Sequence, residues 1–344
     1  MFKLIKEVES RAEYLKEKMS RMIAFGPVPS RRLGHSLGIN NIPPKICTYS
    51  CVYCQLGRTK KMQAESRMFY NPEKILRDIQ EKVKETGDPI DYLTFVPDGE
   101  PTLDINLVYE IDLLKSLGIN IAVITNGSLI WREDVREALK KADLVSLKID
   151  SVQETFWRRI NRPYGPLKLS SIQQGMLEFA ETYSGKLVTE TMLVRTVNDS
   201  EDSLSNIADL LARLRPDKAY LSIPTRPPAE EWVRPPPEEI INQAYHILHG
   251  KIDQVEYLIG YEGNDFAFTG NVEEDLLSIT AVHPMREEAV SDFLSRSGAD
   301  WSVIHKLIDS GQLIETKYKR WKFYMRRLPA IYTEKAFTDP EYGQ

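Results

Sequence analysis

Strand-like and helix-like segments alternate through the middle of the chain, and this alternation restricts the fold more than any other feature of the sequence. Six short apolar segments have the composition of strands buried on both faces. They are Leu33–Ile42, Tyr92–Val96, Asn120–Thr125, Leu144–Ile149, Leu187–Val194 and Ala219–Ile223. Helical patterns separate them, as in the crossovers that join parallel strands. The sequence therefore predicts an α/β fold, a partial (β/α)6 TIM-like barrel.

Polar segments follow the predicted strands, where a barrel of this kind carries its chemistry. The segments are Asp98–Pro101, Thr125–Ser128, Lys148 with Asp150, Arg195, and Ser222–Arg226. Because carboxyl ends of parallel strands meet at one rim, these side chains are expected to lie close together.

The C-terminal part of the chain has a different pattern. Three helical patterns precede Leu313–Arg327, in which lysines and arginines alternate with aromatic residues. This order predicts a small winged-helix-like module. The stretch Trp321–Tyr324 has two interpretations: a surface that stacks nucleic-acid bases, or a wing packed on its own helices, which is favoured. The predicted domains are an N-terminal helix (1–24), the barrel (25–265), the module (266–330) and a tail (331–344).

Charge and hydropathy exclude some classes of function. The net charge of −5 indicates no general affinity of the whole chain for nucleic acid. No apolar run reaches the roughly 20 residues that a membrane-spanning helix needs. The charged N-terminus lacks a signal-peptide core, so the predicted location is cytoplasmic, with no membrane partner.

Three cysteines, Cys47, Cys51 and Cys54, are the only ones in the chain, and they form the pattern C-x₃-C-x₂-C. An odd, tightly clustered set is a poor disulfide framework and a better metal site. Three thiolates on one loop can bind three irons of a [4Fe–4S] cluster and leave the fourth iron open to a substrate. A structural zinc site with His35 as fourth ligand, or three unligated core cysteines, are the alternatives.

This cysteine loop resembles that of the radical S-adenosylmethionine (SAM) superfamily, whose signature is C-x₃-C-x-aromatic-C. The resemblance implies that Cys47, Cys51 and Cys54 hold one [4Fe–4S] cluster and that Tyr53 lies near the adenine of SAM. Asp98-Gly99-Glu100-Pro101 resembles the family's Gly-Gly-Glu-Pro motif, which receives the methionyl amino group of SAM. Asp98 departs from the glycine of that motif and adds a carboxylate.

A subgroup related to the wyosine-forming tRNA enzymes is the most similar part of this superfamily. The similarity rests on Gly26–Gly34, Cys54-Gln-Leu-Gly57, Ser146–Asp150 and Ile160–Pro163. Those enzymes carry a second cluster on additional cysteines, which this chain lacks. The resemblance therefore implies a single-cluster variant.

Further site residues follow from their positions at strand ends. Asn126 and Ser128 are predicted to bind the ribose or carboxylate of SAM, or to close an Asn-Gly turn. Lys148 is predicted to bind the cofactor carboxylate, and Asp150 to bind substrate or cap a helix. Arg195 is predicted to hold a phosphate or carboxylate, with a salt bridge at the rim as the alternative.

Two functions fit these patterns. The first is a radical SAM enzyme, in which a 5′-deoxyadenosyl radical abstracts hydrogen from a tRNA base, a protein or peptide, or a small metabolite. It requires an external one-electron reductant of the flavodoxin or ferredoxin type. The second is an iron–sulfur redox sensor that binds DNA through the winged-helix-like module.

Overall fold

A computed structural model describes residues 23–87, 89–259, 266, 268 and 270–327. The predicted N-terminal helix falls almost entirely outside these residues, and the predicted tail falls wholly outside them. Within them, no helix is both long enough and apolar enough to cross a membrane.

The larger part of the described chain is built from alternating strands and helices. The strands are β1 (Ala24–Ser30), β2 (Gly34–Ile39), β3 (Ile46–Cys47), β4 (Lys61–Met62), β5 (Tyr92–Phe95), β6 (Asn120–Thr125), β7 (Leu144–Lys148), β8 (Lys186–Met192), β9 (Lys218–Ser222) and β10 (Val255–Leu258). The helices are α1 (Pro72–Glu85), α2 (Leu107–Leu114), α3 (Glu133–Leu139), α4 (Glu154–Ile160), α5 (Leu169–Thr182), α6 (Glu201–Leu214) and α7 (Glu238–His249).

One sheet organises these elements, in the order β1-β2-β5-β6-β7-β8-β9-β10. From β2 to β10 every neighbouring pair is parallel, whereas β1 runs antiparallel to β2. Because the strand order follows the chain order, right-handed crossovers bring the helices to one face and the sheet curls. The predicted partial barrel is confirmed, and its carboxyl strand ends form one rim.

The barrel core lies between the sheet and its outer helices. Strand residues such as Leu37 and Phe95 are fully buried against helix residues such as Ile75 and Ile111. Asn71 caps α1 by accepting a hydrogen bond from Lys74 N (3.0 Å), and Pro72 occupies the first turn. These contacts fix the strands that carry the rim.

Strand β1 was not expected from the sequence, since Pro27 and Pro29 interrupt it. Proline is tolerated here because β1 is the edge of the sheet and pairs with β2 alone within it. Its register shifts between Phe25 and Val28. The other strand predictions differ from the structure by a few residues at their ends.

The C-terminal module has a core of its own. It comprises α8 (Val272–Val282), the short strand β11 (Met285–Arg286), α9 (Glu287–Ser297), α10 (Ser302–Asp309), β12 (Leu313–Tyr318) and β13 (Trp321–Arg326). The three strands pair antiparallel in the order β11-β13-β12. Val28 of β1 packs against this core, so the module is attached to the edge of the barrel sheet. The winged-helix assignment stays a prediction.

Candidate functional site

Cys47 is the last residue of β3, and Cys51 and Cys54 lie on the loop between β3 and β4. All three line one cavity of about 360 Å³ at the rim of the barrel. This volume is within the range of roughly 300–1,000 Å³ found for ligand pockets. The sulfurs are free thiols on partly buried side chains. The cavity is therefore large enough for a cofactor that contacts all three.

The segment that follows α4 supports the cysteine loop. Ser50 N donates to Asn161 O (3.0 Å), Val52 N donates to Ile160 O (2.9 Å), and Tyr49 pairs with Pro163 in an isolated bridge. The segment Ile160–Pro163 thus stabilises the cysteine loop through backbone contacts.

Amide groups point at two of the thiols. Asn126 Nδ2 lies 3.6 Å from Cys47 Sγ, and Asn161 Nδ2 lies 3.5 Å from Cys51 Sγ. Burial raises the pKa of the Cys47 thiol above its usual range and that of Cys51 to about 12. Both are therefore protonated without metal, and iron binding must displace their protons.

No group of three or more His, Cys, Asp or Glu side chains is arranged for a metal ion in the described part of the chain. In an iron–sulfur cubane each cysteine binds a different iron. Three cysteines that hold a cubane therefore need not approach each other as closely as two thiolates on one zinc ion, whose sulfurs are roughly 3.8 Å apart.

Glu100 joins two neighbouring strand ends beneath this loop. Its side chain is 1% exposed. One carboxylate oxygen accepts from Thr102 Oγ1 (2.6 Å) and Thr125 Oγ1 (2.5 Å), and the other accepts from Asn126 N (2.8 Å). The carboxylate therefore holds the end of β5 to the end of β6.

Gly99 is required by the close approach of the cysteine loop. A Cβ atom at this position would lie 1.9 Å from Ile46 O. On either side, Lys45 N donates to Asp98 O (2.7 Å) and Glu100 N donates to Ile46 O (3.2 Å). The segment 98–100 and the start of the loop therefore pair along their backbones.

Asp98 is the unusual residue of this segment. It is 3% exposed and lines the cavity, and neither carboxylate oxygen has a hydrogen-bond partner among the described residues. Burial raises its pKa to about 7, although Lys45 and Arg326 oppose that shift. A buried carboxylate without a donor is costly, so this group fits a cationic ligand.

Asn126 and Ser128 differ in their access to the cavity. Asn126 lines it, and its side chain also donates to Thr48 Oγ1 (2.8 Å). Ser128 is fully buried behind it and hydrogen-bonds the same hydroxyl (2.7 Å). Ser128 thus supports the cysteine loop through Thr48.

Tyr53 and Asp150 are joined by a short hydrogen bond between the phenol and the carboxylate. Tyr53 lines the cavity, whereas Asp150 is 2% exposed behind it and also accepts from Asn161 Nδ2 (2.7 Å) and Met192 N (2.8 Å). Burial raises the pKa of Asp150. Asp150 therefore fixes the orientation of the tyrosine.

A second charged group lies on the barrel side of the cavity. Glu190 accepts from Lys148 Nζ (2.6 Å), Arg32 Nη1 (2.6 Å) and Ser222 Oγ (2.8 Å). Burial alone would raise the pKa of Glu190, but Lys148 and Arg32 hold it well below its ordinary range. Lys148 Nζ also lies 5.1 Å from the centre of the Tyr53 ring.

Arg195 is separate from these groups. Its side chain is exposed, it does not line the cavity, and its backbone N donates to Arg234 O (2.9 Å). Of the thirteen predicted residues, nine line the cavity, Ser128 and Asp150 lie directly behind it, and Pro101 and Arg195 do not line it.

Several cavity residues carried no recognisable signal in the sequence. Lys45 is buried and donates to Gly57 O (2.6 Å), and Gln55 accepts from Arg226 (2.7 Å). Arg286 and Phe323 reach the cavity from the C-terminal module. Only the packing of the module on the barrel reveals their position.

Comparison with known proteins agrees with this geometry. The model of the Radical SAM superfamily matches residues 41–211. The UPF0026 protein MJ1312 of Methanocaldococcus jannaschii is 50% identical over 309 residues, covering 89% of this chain and 96% of that protein. A UPF0026 protein of Helicobacter pylori is 36% identical over 208 residues, covering 60% of this chain and 67% of that protein.

A solved structure described as TYW1 with a lysine-pyruvate adduct bound has 18% identity and a TM-score of 0.45, covering 63% of this chain and 74% of that one. The likeness to the wyosine-forming enzymes stays a prediction. The chain belongs to the UPF0026 family within the radical SAM superfamily and is an enzyme of that superfamily. This membership implies SAM and an iron–sulfur cluster as cofactors.

Proposed function

We propose that this enzyme holds a single [4Fe–4S] cluster on Cys47, Cys51 and Cys54 and binds SAM in the same cavity. The observation that carries the proposal is the cavity itself, where three thiols and the unpartnered carboxylate of Asp98 meet. Thiolates suit iron, and a carboxylate suits an ammonium group. With three cysteines in the whole chain, a second cysteine-bound cluster has no ligands.

Asp98 binds the ammonium group of SAM, beside the backbone of Gly99, Glu100 and Pro101. This role is supported by the burial of Asp98 and by its two oxygens without donors. Glu100 acts mainly through position, because its oxygens already accept hydrogen bonds from the protein. Tyr53 contacts the adenine end of SAM, as the family resemblance implies.

The other polar residues orient this arrangement. Asn126 binds the ribose or carboxylate of SAM, and Ser128 steadies it through Thr48. Lys148 presents its ammonium to the cofactor carboxylate, and Asp150 holds Tyr53. A role for Arg195 in holding an anionic group requires movement of its segment, since the side chain lies outside the cavity.

The chemistry that a bound, reduced cluster supplies is cleavage of SAM to methionine and a 5′-deoxyadenosyl radical, which abstracts hydrogen from a substrate. The chain itself orients SAM and excludes water. Radical SAM enzymes need an external electron donor, here proposed to be of the flavodoxin or ferredoxin type. A tRNA base, a protein or peptide, and a small metabolite are the substrate classes considered.

The DNA-binding sensor is less well supported. That function calls for a module that works apart from the cavity, whereas Arg286 and Phe323 of the module line it. The proposed enzyme has two domains, the barrel (25–265) and the module (266–330), and the module forms part of the wall of the active site.

The test is anaerobic reconstitution with iron and sulfide, followed by dithionite and SAM. Wild-type protein is expected to hold about four irons per chain and to release 5′-deoxyadenosine. Cys47→Ala, Cys51→Ala and Cys54→Ala should each lose both, whereas Lys141→Ala, in an exposed ion pair with Asp112 (3.3 Å), should lose neither. An intact cluster without 5′-deoxyadenosine release would refute the enzyme assignment.

A further inference from the structure

An arginine-rich surface lies beside the cysteine loop, outside the cavity. Its residues come from the turn after Cys54, from the end of α4 and the turn that follows it, and from the loops after β8 and β9. All are at least partly exposed, and none of them lines the cavity. We call this set the arginine surface; it consists of Arg58, Arg159, Arg162, Arg195, Trp232 and Arg234.

Side-chain contacts make these segments one continuous surface. Glu230 accepts from Arg58 Nε (2.7 Å) and from Arg162 Nη1, so that one carboxylate joins two of the segments. The guanidinium of Arg159 lies 5.9 Å from the centre of the Trp232 ring. Because Trp232 follows Glu230 closely in the chain, the end of α4 and the turn after Cys54 meet at the loop after β9.

The arginine surface is attached directly to the segment that carries the cysteines. Glu230 N donates to Val52 O (3.0 Å), and Val52 lies between Cys51 and Cys54 in the chain. Val233 is fully buried in the same apolar cluster as Val52. The loop after β9 therefore contacts the cysteine loop with its buried side and carries part of the arginine surface on its exposed side.

The charge of this surface is opposite to that of the whole chain. It has five arginines beside two acidic residues, Glu230 and Glu231, whereas the chain has a net charge of −5. Arg159 and Arg234 each donate to a backbone carbonyl oxygen, at 3.1 and 2.8 Å, and Arg195 N donates to Arg234 O (2.9 Å). These acceptors are uncharged, so the bonds hold the guanidinium groups in place and do not cancel their charge. Such a surface attracts an acidic partner.

We infer that the arginine surface is the docking site of an acidic one-electron donor protein that reduces the cluster. In this step the donor loses one electron and the [4Fe–4S]²⁺ cluster gains it to become [4Fe–4S]⁺, with no bond formed or broken. Electron transfer slows steeply with distance, so the donor has to dock close to the cysteine loop. The inference rests on the proposed function, because it names the partner that supplies the electron.

The position and composition of the surface favour such a donor over a nucleic acid. A nucleic-acid substrate has to bring its reacting group into the cavity, and no residue of the arginine surface lines the cavity. An electron donor needs no access to the cavity and leaves it open for SAM and substrate. Trp232 is 43% exposed among the arginines, and these two residue types are enriched at protein interfaces. Transient electron-transfer complexes bury little area, so a surface of six residues is sufficient for their centre.

The experiment titrates the reconstituted protein with oxidised flavodoxin, an acidic electron-transfer protein, and follows binding by calorimetry at about 50 mM and about 300 mM salt. Wild-type binding should weaken about tenfold or more at the higher salt, because exposed charges are screened. Arg159→Glu and Arg234→Glu should each weaken binding about tenfold at the lower salt, since each places a negative charge opposite the donor.

Lys115→Glu is the matched control. It makes the same change of charge on an exposed side chain, but it lies just before β6, at the amino ends of the strands and away from the rim. This variant should bind flavodoxin as wild type does at both salt concentrations.

The second readout is the transfer of one electron from reduced flavodoxin to the cluster, followed by the loss of its visible absorbance. Arg159→Glu and Arg234→Glu should slow this transfer about tenfold at the lower salt. Dithionite needs no docking surface and should reduce the cluster to the same extent in every variant. A wild-type cluster that dithionite does not reduce would refute the proposed function and this inference with it.

Titration with bulk tRNA tests the other class of partner. The inference alone is overturned, with the proposed function intact, if a dithionite-reducible wild-type protein does not bind flavodoxin or if both reversals bind it normally. It is also overturned if the reversals abolish binding of tRNA and not of flavodoxin, which would assign the surface to nucleic acid.

Discussion

Replacement of Asp98 by asparagine should stabilise the metal-free protein at high pH and weaken its binding of SAM. The carboxylate is 3% exposed and has no hydrogen-bond donor among the described residues. Burial raises its folded pKa to about 7 from 3.8. Because the folded pKa is raised, the stability that this group contributes is complete below about pH 4 and is lost as the pH rises through 7.

The size of this loss follows from the pKa difference. At roughly 1.36 kcal/mol per pKa unit, ionising Asp98 costs the folded protein about 4 kcal/mol, of which about 3 kcal/mol appears between pH 5 and pH 8. Asparagine has nearly the same shape and does not ionise. The Asp98→Asn protein should therefore unfold at somewhat higher urea concentrations than wild type at pH 5, where part of the cost is already present, and at much higher ones at pH 8.

The second readout is SAM affinity of the reconstituted protein, measured by calorimetry at pH 8. Loss of a charge-assisted hydrogen bond to the ammonium should weaken binding about tenfold. Asp112→Asn is the control, since Asp112 is exposed, and it should change neither property. Equal pH dependence of unfolding in wild type and Asp98→Asn, or unchanged SAM affinity, would show that the carboxylate does not have this role.

Three further substitutions test other parts of the site. Gly99→Ala should reduce iron content after reconstitution, because its Cβ would lie 1.9 Å from Ile46 O; Gly87→Ala, with open space around it, should not. Glu190→Gln should lower stability by about 2 kcal/mol at pH 7, since it leaves two partly buried cations, Arg32 and Lys148, without their carboxylate. The pKa of Glu190 is depressed, so this deficit should shrink as the pH falls below about 4.5, and a deficit in urea unfolding that does not change with pH would contradict the argument. The stability advantage of Asp104→Asn over wild type should grow by about 3 kcal/mol between pH 5 and pH 8, because burial raises the pKa of Asp104 to about 7. An advantage in thermal unfolding that is the same at the two pH values would refute it.

The barrel could be predicted from the sequence because each of its strands is a continuous apolar run between helical patterns. Strand β1 could not, since its prolines resemble a loop and are tolerated only at a sheet edge. Edge position is a property of the whole sheet and leaves no local pattern.

Part of the site could also be predicted from the sequence, and part could not. The cysteines and Asp98–Pro101 are recognisable from spacing and order along the chain. The role of Glu100 as a junction between strand ends depends on Thr125 and Asn126, which only the sheet brings within reach. Arg195 illustrates the reverse case, because a position after a strand does not determine where the side chain points.

The attachment of the module to β1 has a consequence for the order in which the enzyme is completed during synthesis. Val28 lies near the start of the described chain, yet it packs against the core formed by α8–α10 and the last strands. The cysteine loop is translated early, whereas Arg286 and Phe323 are translated late. During translation the nascent barrel therefore presents an incomplete cavity, and its enclosure depends on contacts between distant parts of the chain, the kind that form slowly.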